Sequence, residues 1–521
     1  MLSEQLLQLK ANKDKVGVIC TYFTKQFLER DFNLYQLPST DFIEYIDVNN
    51  ISIVVLDNDI YENDHLWFEK DLSGLLSYLK FRNIKVYILK NTTKKIPNTY
   101  LDYTVIEFTH EALTKENQLN SVKLPILINE RKINSVNKVK SLDVVYMKKG
   151  DLLRSFAIQD FNAALKPERQ EIVFENFSKK IIFDIIEKIK ITKCLYIYDP
   201  TDFDPILLKY IEIISVLQNT VVLYSDSTLK SDIVINNDEI TNISLMSIMH
   251  KDNHYRDKIL LPLQRQVYLS NTFTKYKSIL ELLEMENEIE TKVPVSVITS
   301  TNRKHNLKSY FKQLINQKDV DLQVVLITHG FEIDNKEIMK YHKDIEKLDL
   351  KVVYVPSEQP LGYCLNRAIS EIKHFYVAKM DDDDFYFEHY LIDSWIAARY
   401  TDADLVGKYS TYTFFQGSNL TISKYKNTRR KYHPFVMGAT FFAKSQLMKK
   451  YMFSYLQTGE DSDFLRRINE DNAVIYADQP YNFCIFRSQD LESHTWKISD
   501  IDFMKNSFIE SYDNPKKLLS F

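Results

Sequence analysis

Apolar and polar residues alternate in regular blocks along the second half of the chain, from residue 295 to residue 378. Short apolar runs predict buried strands, and segments with apolar residues three or four positions apart predict helices. The predicted strands are 295–300, 323–328, 352–356 and 375–378, and the predicted helices are 306–316, 337–348 and 361–372. This βαβαβαβ order is typical of an open, mostly parallel sheet.

The first half of the chain shows the same kind of pattern in two successive blocks. The predicted strands are 16–20, 51–56, 84–89 and 103–108 in the first block, and 142–146, 194–198, 220–224 and 232–235 in the second. Helix-like segments such as 66–81 lie between them. We therefore expect two α/β, Rossmann-like lobes, over residues 1–128 and 129–272. Neither block contains a glycine-rich phosphate loop, so we interpret the lobes as a scaffold or as a module that binds a partner or an acceptor.

The other domain boundaries are predicted from breaks in this pattern. Residues 273–290 are strongly helical in composition, and the segment before Pro294 interrupts them. We expect a connecting helix over 273–292, a third domain over 293–500 and a helical tail over 501–521.

Charge and cysteine content exclude several classes of protein. The 521 residues include 67 Lys and Arg against 71 Asp and Glu, a net charge of -4, which argues against a nucleic-acid partner. Four scattered cysteines with no CxxC pair argue against a disulfide framework and a zinc knuckle. We find no long uncharged apolar window, and the charged N-terminal segment does not resemble a signal peptide. We expect a cytoplasmic protein and leave open a peripheral contact with the inner face of a membrane.

Four consecutive acids, from Asp381 to Asp384, directly follow the last predicted strand. In an extended chain the first and third acids would share one face, and the second and fourth the other. Carboxylates at a strand end can hold a hard divalent cation, which can in turn hold a phosphate. A solvated acidic turn is the alternative. Two further polar loops, 299–303 and 328–330, follow other predicted strands, so we expect all three at one edge of the sheet.

Four motifs occur in an order that resembles family 2 glycosyltransferases of the GT-A fold. They are VSVITSTNR (295–303), LGYCLNRAI (361–369), MDDDD (380–384) and GEDSDF (459–464). They are similar to the family's nucleotide-binding loop, to the helix before its metal motif, to its Asp-x-Asp motif and to the Glu-Asp motif that supplies its catalytic base. The sequence departs from the family at Thr328-His329-Gly330, where the second strand usually ends in acids that contact the base of the nucleotide.

The resemblance implies roles for individual residues. It implies Mn²⁺ or Mg²⁺ as the cofactor, with Asp383, Asp384 and His494 as candidate metal ligands. It implies that the nucleotide-sugar donor is contacted by Thr299, Thr301, Arg303, Asn366, Asp381 and Asp382. It implies Asp461 as the catalytic base, with Glu460 beside it. The alternatives are that His494 is an ordinary surface or packed residue and that Asp461 or Thr458 caps a helix.

Two further segments have less specific interpretations. A basic run with interleaved tyrosines, 424–432, could cover a pyrophosphate, an anionic polymer or anionic lipid, or could form a solvated loop. The segment 435–440 could form the floor under a sugar, because Gly438 and Ala439 leave room, or could pack as a buried strand.

We interpret the chain as a metal-dependent, inverting glycosyltransferase with a C-terminal catalytic domain. We expect it to move a hexosyl or N-acetylhexosaminyl group from a UDP-sugar to a hydroxyl of a bacterial surface glycan, a teichoic-type polymer or a peptide. The alternatives are a nucleotidyltransferase and a non-catalytic protein that binds sugar nucleotides or glycans. A nucleotidyltransferase would normally show a glycine-rich loop after its first strand, where this chain has Thr301-Asn302-Arg303.

Overall fold

The computed structural model divides the chain into two compact units, Met1–Ile289 and Glu290–Phe521. It describes residues 15–95, 100, 103–109, 121–136, 139–151, 156–176, 178–226, 228–229, 231–235, 238–275, 292–488 and 500–521. Both units mix helices with sheets, which confirms the expected α/β class. In this part of the chain, we find no helix that combines the length and the hydropathy needed to cross a bilayer.

The first sheet of the N-terminal unit has six parallel strands in the order β2-β1-β3-β4-β5-β6. The strands are β1 (Lys15–Ile19), β2 (Asn33–Gln36), β3 (Ile53–Asp57), β4 (Lys85–Lys90), β5 (Thr104–Thr109) and β6 (Ser121–Pro125). The helices between them are α1 (Tyr22–Leu28), α2 (Phe42–Asn49) and α3 (Ser73–Phe81). The strand order reverses at β1, and the central strand β3 is buried along its whole length, as is usual in parallel sheets.

The second sheet of this unit has four parallel strands in the order β10-β9-β7-β8. The strands are β7 (Leu142–Lys149), β8 (Arg169–Phe174), β9 (Thr192–Ile197) and β10 (Val221–Tyr224). The helices are α4 (Phe156–Leu165), α5 (Lys179–Lys190), α6 (Pro205–Leu217), α7 (Glu239–Lys251) and α8 (Asn253–Ser270). Helix α6 begins where the Asp204 carboxylate accepts a hydrogen bond from Ile206 N at 2.9 Å, with Pro205 in the first turn. The two parallel sheets are the expected Rossmann-like lobes.

The C-terminal unit contains an eight-stranded sheet in the order β13-β12-β11-β14-β20-β16-β21-β19 and a five-stranded sheet in the order β15-β22-β17-β18-β23. The strands are β11 (Val293–Thr301), β12 (Val320–His329), β13 (Asp349–Val355), β14 (Tyr376–Lys379), β15 (Phe385–Tyr386), β16 (Leu405–Gly407), β17 (Thr411–Phe415), β18 (Leu420–Lys424), β19 (Lys431–Tyr432), β20 (Phe442–Lys444), β21 (Ile475–Ala477), β22 (Phe483–Arg487) and β23 (Phe508–Ser511). Strands β11 to β14 are parallel, and β20 lies antiparallel beside β14.

The helices of this unit lie between its strands, and three of them share an apolar core with the larger sheet. The helices are α9 (Leu307–Ile315), α10 (Asn335–Met339), α11 (Leu361–Ile369), α12 (Tyr390–Thr401), α13 (Ser445–Tyr451), α14 (Glu460–Glu470), α15 (Asp500–Met504) and α16 (Lys516–Leu519). Leu365 of α11 and Phe464 of α14 are both buried in the cluster that contains Val325 and Ile327 of β12. Two of the predicted motifs therefore share one core, which fixes the helices that carry them relative to the sheet.

Several predicted elements differ from the observed ones. The predicted helix 66–81 begins only at Ser73, and the predicted strand 232–235 contributes one isolated bridge. The predicted helix 337–348 is divided, because the His342 side chain accepts from Asp344 N and starts a separate 3₁₀ turn. The tail 501–521 was expected to be helical, but strand β23 lies between α15 and α16 and pairs with β18. The β-favouring Phe508 and Ile509 account for this strand.

The predicted connecting helix falls largely on residues 276–291, which lie outside the described residues. The domain boundaries that depend on it therefore remain predictions.

Candidate active site

Three polar loops lie at one edge of the larger C-terminal sheet because their strands are neighbours. In the parallel pairing, Thr301 of β11 is opposite Thr328 of β12, and Ile298 of β11 is opposite Lys379 of β14. Met380 N also donates to Ile298 O at 3.1 Å, directly before the four acids. The structure thus brings the loops 299–303, 328–330 and 381–384 to adjacent positions.

Asp382 is the buried anchor of the acidic run. Its carboxylate accepts hydrogen bonds from Thr301 Oγ1 at 3.0 Å, Arg303 Nε at 3.0 Å and Asn306 Nδ2 at 2.9 Å. Arg303 Nη2 completes a bidentate pair at 2.5 Å. Because these donors occupy both oxygens of a side chain that is 1% exposed, Asp382 fixes the Arg303 guanidinium in place.

Asp383 and Asp384 line a cavity of about 290 Å³ beside Arg303. Arg303 Nη1 lies 2.9 Å from Asp383 Oδ2, and Asp384 Oδ1 accepts a hydrogen bond from Phe486 N at 3.0 Å. Burial, together with the neighbouring acids, raises the pKa of Asp383 to about 6 although Arg303 lowers it. Burial and repulsion from Asp383 also raise the pKa of Asp384. The cluster therefore has more negative charge than its protein partners neutralise.

The predicted alternation of the four acids between two faces is wrong. Strand β14 ends at Lys379, and the acids lie in a bend, where side chains no longer alternate. As a result, the consecutive residues Asp382 and Asp383 both contact Arg303.

Lys379 connects the acidic run to the GEDSDF motif, which is distant in sequence. Its side chain is 4% exposed, and Nζ lies 2.9 Å from Asp381 Oδ1 and 3.3 Å from Asp461 Oδ2. Although burial lowers the pKa of Lys379, the two carboxylates hold it above its ordinary value. A charged lysine therefore holds one acid of each motif in a single cluster.

Asp461 and Glu460 begin helix α14. The residue before them, Gly459, has φ of +83°, and no side chain at that position makes the capping hydrogen bond. Glycine adopts this conformation without strain. The alternative role of Asp461 or Thr458 as the helix cap is therefore wrong, because Gly459 is the cap residue.

The two acids at the start of α14 both have raised pKa values. Burial raises the pKa of Asp461, with Lys379 opposing it, and burial with repulsion from Asp461 raises the pKa of Glu460 to about 7. Asp461 Oδ1 is buried and has no hydrogen-bond partner among the described residues. That oxygen is available to accept a proton or a hydrogen bond.

Gly438 packs directly against Asp461. A Cβ atom built on Gly438 would lie 1.6 Å from Asp461 Oδ2, so no other residue fits without displacing the carboxylate. The adjoining Ala439 O accepts from the Tyr386 hydroxyl at 2.8 Å, and the same hydroxyl accepts from Asp381 N at 2.8 Å. The segment 435–440 therefore joins the two acidic motifs.

Two predicted donor-binding residues, Thr299 and Asn366, already make hydrogen bonds to protein groups through their polar side-chain atoms. Thr299 Oγ1 is 2.7 Å from Met380 O and 2.6 Å from the Tyr310 hydroxyl. Asn366 exchanges two 2.7 Å hydrogen bonds with the backbone of Phe453. Both residues hold loops of the site in place, and their contact with a donor remains a prediction.

The remaining predicted features are His494 and the basic run. His494 lies outside the described residues. In the basic run, Lys424 Nζ donates to Phe503 O at 2.5 Å and Lys426 pairs with Glu510 at 2.5 Å. These two lysines therefore hold the C-terminal segment onto the domain.

Three further residues of the site, Lys379, Asn306 and Tyr386, are not among the predicted site residues. Lys379 is recognisable in the sequence as the one basic residue between the apolar run 375–378 and the four acids. A buried lysine beside carboxylates is expected to pair with them. Asn306 and Tyr386 gave no comparable signal, because their partners are distant in sequence.

Residues 296–450 match the family described as Glycosyl transferase family 2. This range includes the motifs LGYCLNRAI and MDDDD and all but the first residue of VSVITSTNR, and it ends before GEDSDF. No curated protein matches the chain.

Several solved structures are similar to part of the chain. S. aureus TarS 1–349 has 19% identity over 37% of this chain and 60% of its own, with a TM-score of 0.30. The same protein in complex with UDP-GlcNAc has 18% identity over 41% of this chain and 64% of its own, with a TM-score of 0.32. The mannosyltransferase PcManGT from Pyrobaculum calidifontis, in complex with GDP-Man and Mn²⁺, has 14% identity over 47% of this chain and 67% of its own, with a TM-score of 0.31.

The predicted resemblance is confirmed by the family match, which falls on the parallel strands and on the acidic loop described above. The chain is thus similar to glycosyl transferase family 2 over residues 296–450 of its C-terminal unit.

Proposed function

We propose that the C-terminal unit is the catalytic domain of a metal-dependent, inverting glycosyltransferase that uses a nucleotide-diphosphate sugar. The observation that carries this proposal is the position of Lys379, which lies 2.9 Å from Asp381 and 3.3 Å from Asp461. Sugar transfer needs a donor site for a diphosphate beside a base for the incoming hydroxyl. The shared lysine supports the presence of both in one cluster.

The donor side of the cluster fits a hard divalent cation. Within the described residues, no group of three or more His, Cys, Asp or Glu side chains is arranged around one cation position. Mg²⁺, however, is usually held by one or two carboxylates together with substrate phosphates. Asp383 would supply the first carboxylate and Asp384 the next, and their raised pKa values agree with a cluster that lacks positive charge. When bound, the cation neutralises charge that develops on the departing diphosphate.

Arg303 supplies a fixed positive charge on the same side. Its guanidinium is held by Asp382 and lines the 290 Å³ cavity with Asp383. A preorganised cation stabilises a developing anion without having to reorient during the reaction. Arg303 would therefore contact the diphosphate, while Thr301 and Asp382 keep it in position.

Asp461 would act as the base. Its Oδ2 is paired with Lys379, and its buried Oδ1 has no partner among the described residues. Oδ1 would accept the proton of the acceptor hydroxyl as that oxygen attacks the anomeric carbon. A single base that acts opposite the leaving group implies inversion of configuration.

We expect a UDP-sugar as the donor, recognised without a carboxylate on the second strand. At the end of β12, Thr328 Oγ1 and His329 Nε2 are buried without a hydrogen-bond partner in the described part of the chain. Buried polar atoms in this state are stabilised by a ligand that supplies their hydrogen bonds. A neutral nucleobase would fit this requirement.

A donor panel tests this function. The full-length protein is mixed with UDP-, GDP- and CMP-sugars, with and without Mn²⁺ or Mg²⁺, and released nucleotide is measured. We expect turnover of a UDP-sugar that EDTA abolishes. Release of pyrophosphate from a nucleoside triphosphate and a sugar phosphate would favour the nucleotidyltransferase instead, and binding without turnover would favour the non-catalytic alternative.

Gly438→Ala tests whether the position of Asp461 matters for transfer. The added methyl group would lie 1.6 Å from Asp461 Oδ2, so the carboxylate must move. We expect transfer to fall by about 10²-fold, because small displacements of reacting groups have effects of this size. The binding of UDP, measured by calorimetry, should be unchanged.

The matched control is Gly74→Ala, because no atom lies within 4 Å of the added methyl group at that position. It should keep full activity. Full activity of Gly438→Ala as well would remove Asp461 from the proposed reaction.

The proposed base implies a hydroxyl as the acceptor, and we expect this hydroxyl to belong to a bacterial surface glycan, a teichoic-type polymer or a peptide, as the family resemblance implies. A cytoplasmic location, with or without peripheral membrane contact, belongs to the same proposal. Its support is the near-neutral charge balance of the chain and its free cysteines.

A further inference from the structure

A second cavity, of about 460 Å³, lies in the N-terminal unit between its two parallel sheets. The loops that line it follow the carboxyl ends of β3 and β4 in the first sheet and of β7, β8 and β9 in the second. In open parallel sheets, ligands bind beyond the carboxyl ends of the strands. The volume is within the range of about 300–1,000 Å³ that is usual for small-molecule sites.

Direct contacts hold the two lobes together around this cavity. Thr93 donates from its backbone N and from its hydroxyl to Asp204 Oδ2, at 2.8 and 2.6 Å. The rings of Phe23 and Tyr210 are stacked with their centroids 4.9 Å apart. These contacts join the two lobes beside the cavity.

Asp57, at the end of β3, is a buried acid that lines this cavity. Only one of its two carboxylate oxygens accepts well-formed hydrogen bonds. Asp57 is 1% exposed, and its Oδ2 accepts hydrogen bonds from Thr21 N and Thr21 Oγ1, both at 2.7 Å. Its Oδ1 makes no hydrogen bond of good geometry among the described residues, although the nearby Thr24 hydroxyl interacts with the carboxyl group and lowers the pKa of Asp57. A buried polar atom without a good hydrogen bond is unfavourable, so a ligand group that pairs with the Asp57 carboxyl group is stabilised at this position.

The charge of the wall argues against an anionic ligand. The acids on the wall are Asp57, Asp59, Glu69, Glu175, Asp202 and Asp204, and the bases are Lys70, Lys94 and Lys149. One base, Lys94, is already paired with Asp59 at 2.9 Å. Phosphates and nucleotides would be repelled by the remaining excess of carboxylates.

The Asp57 carboxyl group is suited to an uncharged polar ligand. Burial raises the pKa of Asp57 to about 8, while its hydrogen bonds from Thr21 oppose the shift. The carboxyl group is therefore mostly protonated at neutral pH, and Oδ1 can donate a hydrogen bond to an uncharged oxygen.

The other wall residues are suited to the two faces of a sugar ring. Asn176 adds an amide group, whereas the Asn58 amide already pairs with Lys94 O and Asn91 N. Five aromatic residues lie on the wall: Tyr61 and Phe68 are partly exposed, and Trp67, Tyr100 and Phe203 are buried. Hydroxyl groups donate strong hydrogen bonds to carboxylates, and the C–H faces of a pyranose pack on aromatic rings. Polar groups and aromatic surfaces occur together on this wall.

We propose that the cavity between the two N-terminal lobes binds an uncharged saccharide, at a site separate from the C-terminal acidic cluster. This function goes beyond sugar transfer and does not depend on it.

The test uses fluorescently labelled full-length protein on an array of several hundred neutral and anionic glycans. We expect it to retain neutral glycans, and the best of these, as the free oligosaccharide, is then titrated by calorimetry. Asp57→Ala, which removes both oxygens of the carboxyl group, and Asp202→Asn should each weaken this binding at least about tenfold, the effect of losing one good hydrogen bond to a charged or buried group. Asp202 is an exposed residue, so its substitution leaves the core intact.

Two control variants distinguish binding in this cavity from binding elsewhere on the protein. Asp160→Asn removes an exposed acid of the same lobe outside the cavity, and Asp461→Asn changes the proposed transfer site. Both should bind the glycan like the wild type, and circular dichroism checks that each variant is folded.

Loss of binding in either folded cavity variant, with both controls unchanged, supports the proposal. Retention of no neutral glycan, unchanged binding in both cavity variants, or an equal loss in Asp461→Asn would overturn it. The last result would leave the proposed transferase activity intact and would assign the saccharide to the C-terminal domain.

Discussion

Asp461→Asn is expected to lower sugar transfer by about 10²–10⁴-fold, the usual contribution of a positioned general base. Asparagine keeps the shape of the side chain but cannot take a proton at the position of the unpartnered Oδ1. The donor should still bind, because Asp383 and Arg303 are unchanged. Transfer is measured with a radiolabelled UDP-sugar, and donor binding by calorimetry with UDP and Mn²⁺.

Asp463→Asn is the matched control for this variant. Asp463 lies in the first turn of the same helix, but its carboxylate pairs with Arg466 and Arg467 at 2.8 Å. Its loss should lower stability by about 1 kcal/mol or less per pair and leave transfer unchanged. If Asp461→Asn transferred sugar at the wild-type rate, another group would have to be the base.

Asp383→Ala is expected to abolish Mn²⁺-dependent donor binding. Removing a residue that only hydrogen-bonds to a metal ligand lowers metal affinity by about 10–100-fold. Removing the ligand itself should lower metal affinity by more than this. Arg303 keeps its bidentate pair with Asp382, so the loop should keep its shape. Binding of UDP is measured by calorimetry at several Mn²⁺ concentrations.

Glu388→Ala serves as the control, because Glu388 is an acid of the same segment whose side chain is 47% exposed. It should bind Mn²⁺ and UDP like the wild type. Unchanged Mn²⁺ dependence in Asp383→Ala would mean that the acidic run serves the domain's structure and not the donor.

The sequence predicted the parts of the site that depend on local pattern. The alternating blocks gave the parallel strands β11 to β14 within a few residues of their observed bounds, because buried strands are apolar and their ends are polar. Strand neighbours in a parallel sheet then bring Arg303 and the acidic run to the same edge. The family resemblance could be recognised because the order of the motifs is visible in a single sequence.

The contacts across the site could not be predicted, because they join distant residues. Nothing local indicates that Asp382 points inward to Thr301 and Arg303 while Asp383 lines the cavity. The bend after β14, which breaks the alternation of the acids, depends on tertiary packing. The pairing of Lys379 with Asp461 likewise depends on how α14 packs against the sheet.

In the N-terminal unit, too, local patterns predict the strands but not the contacts between distant segments. Its strands were predicted from apolar runs, but the cavity between its lobes is built from loops of two different sheets. Asp57 was included in no motif, because an acid at a strand end gives no local sign that one of its oxygens will be buried without a well-formed hydrogen bond.

The central claim is that the two acidic motifs have separate roles in one cluster, with donor and metal at Asp383 and proton transfer at Asp461. The most direct test is calorimetric titration of UDP, in the presence of Mn²⁺, into Asp383→Ala and Asp461→Asn. The account predicts wild-type affinity for Asp461→Asn and no measurable binding for Asp383→Ala. Equal loss of affinity in both variants, or loss in neither, would contradict it.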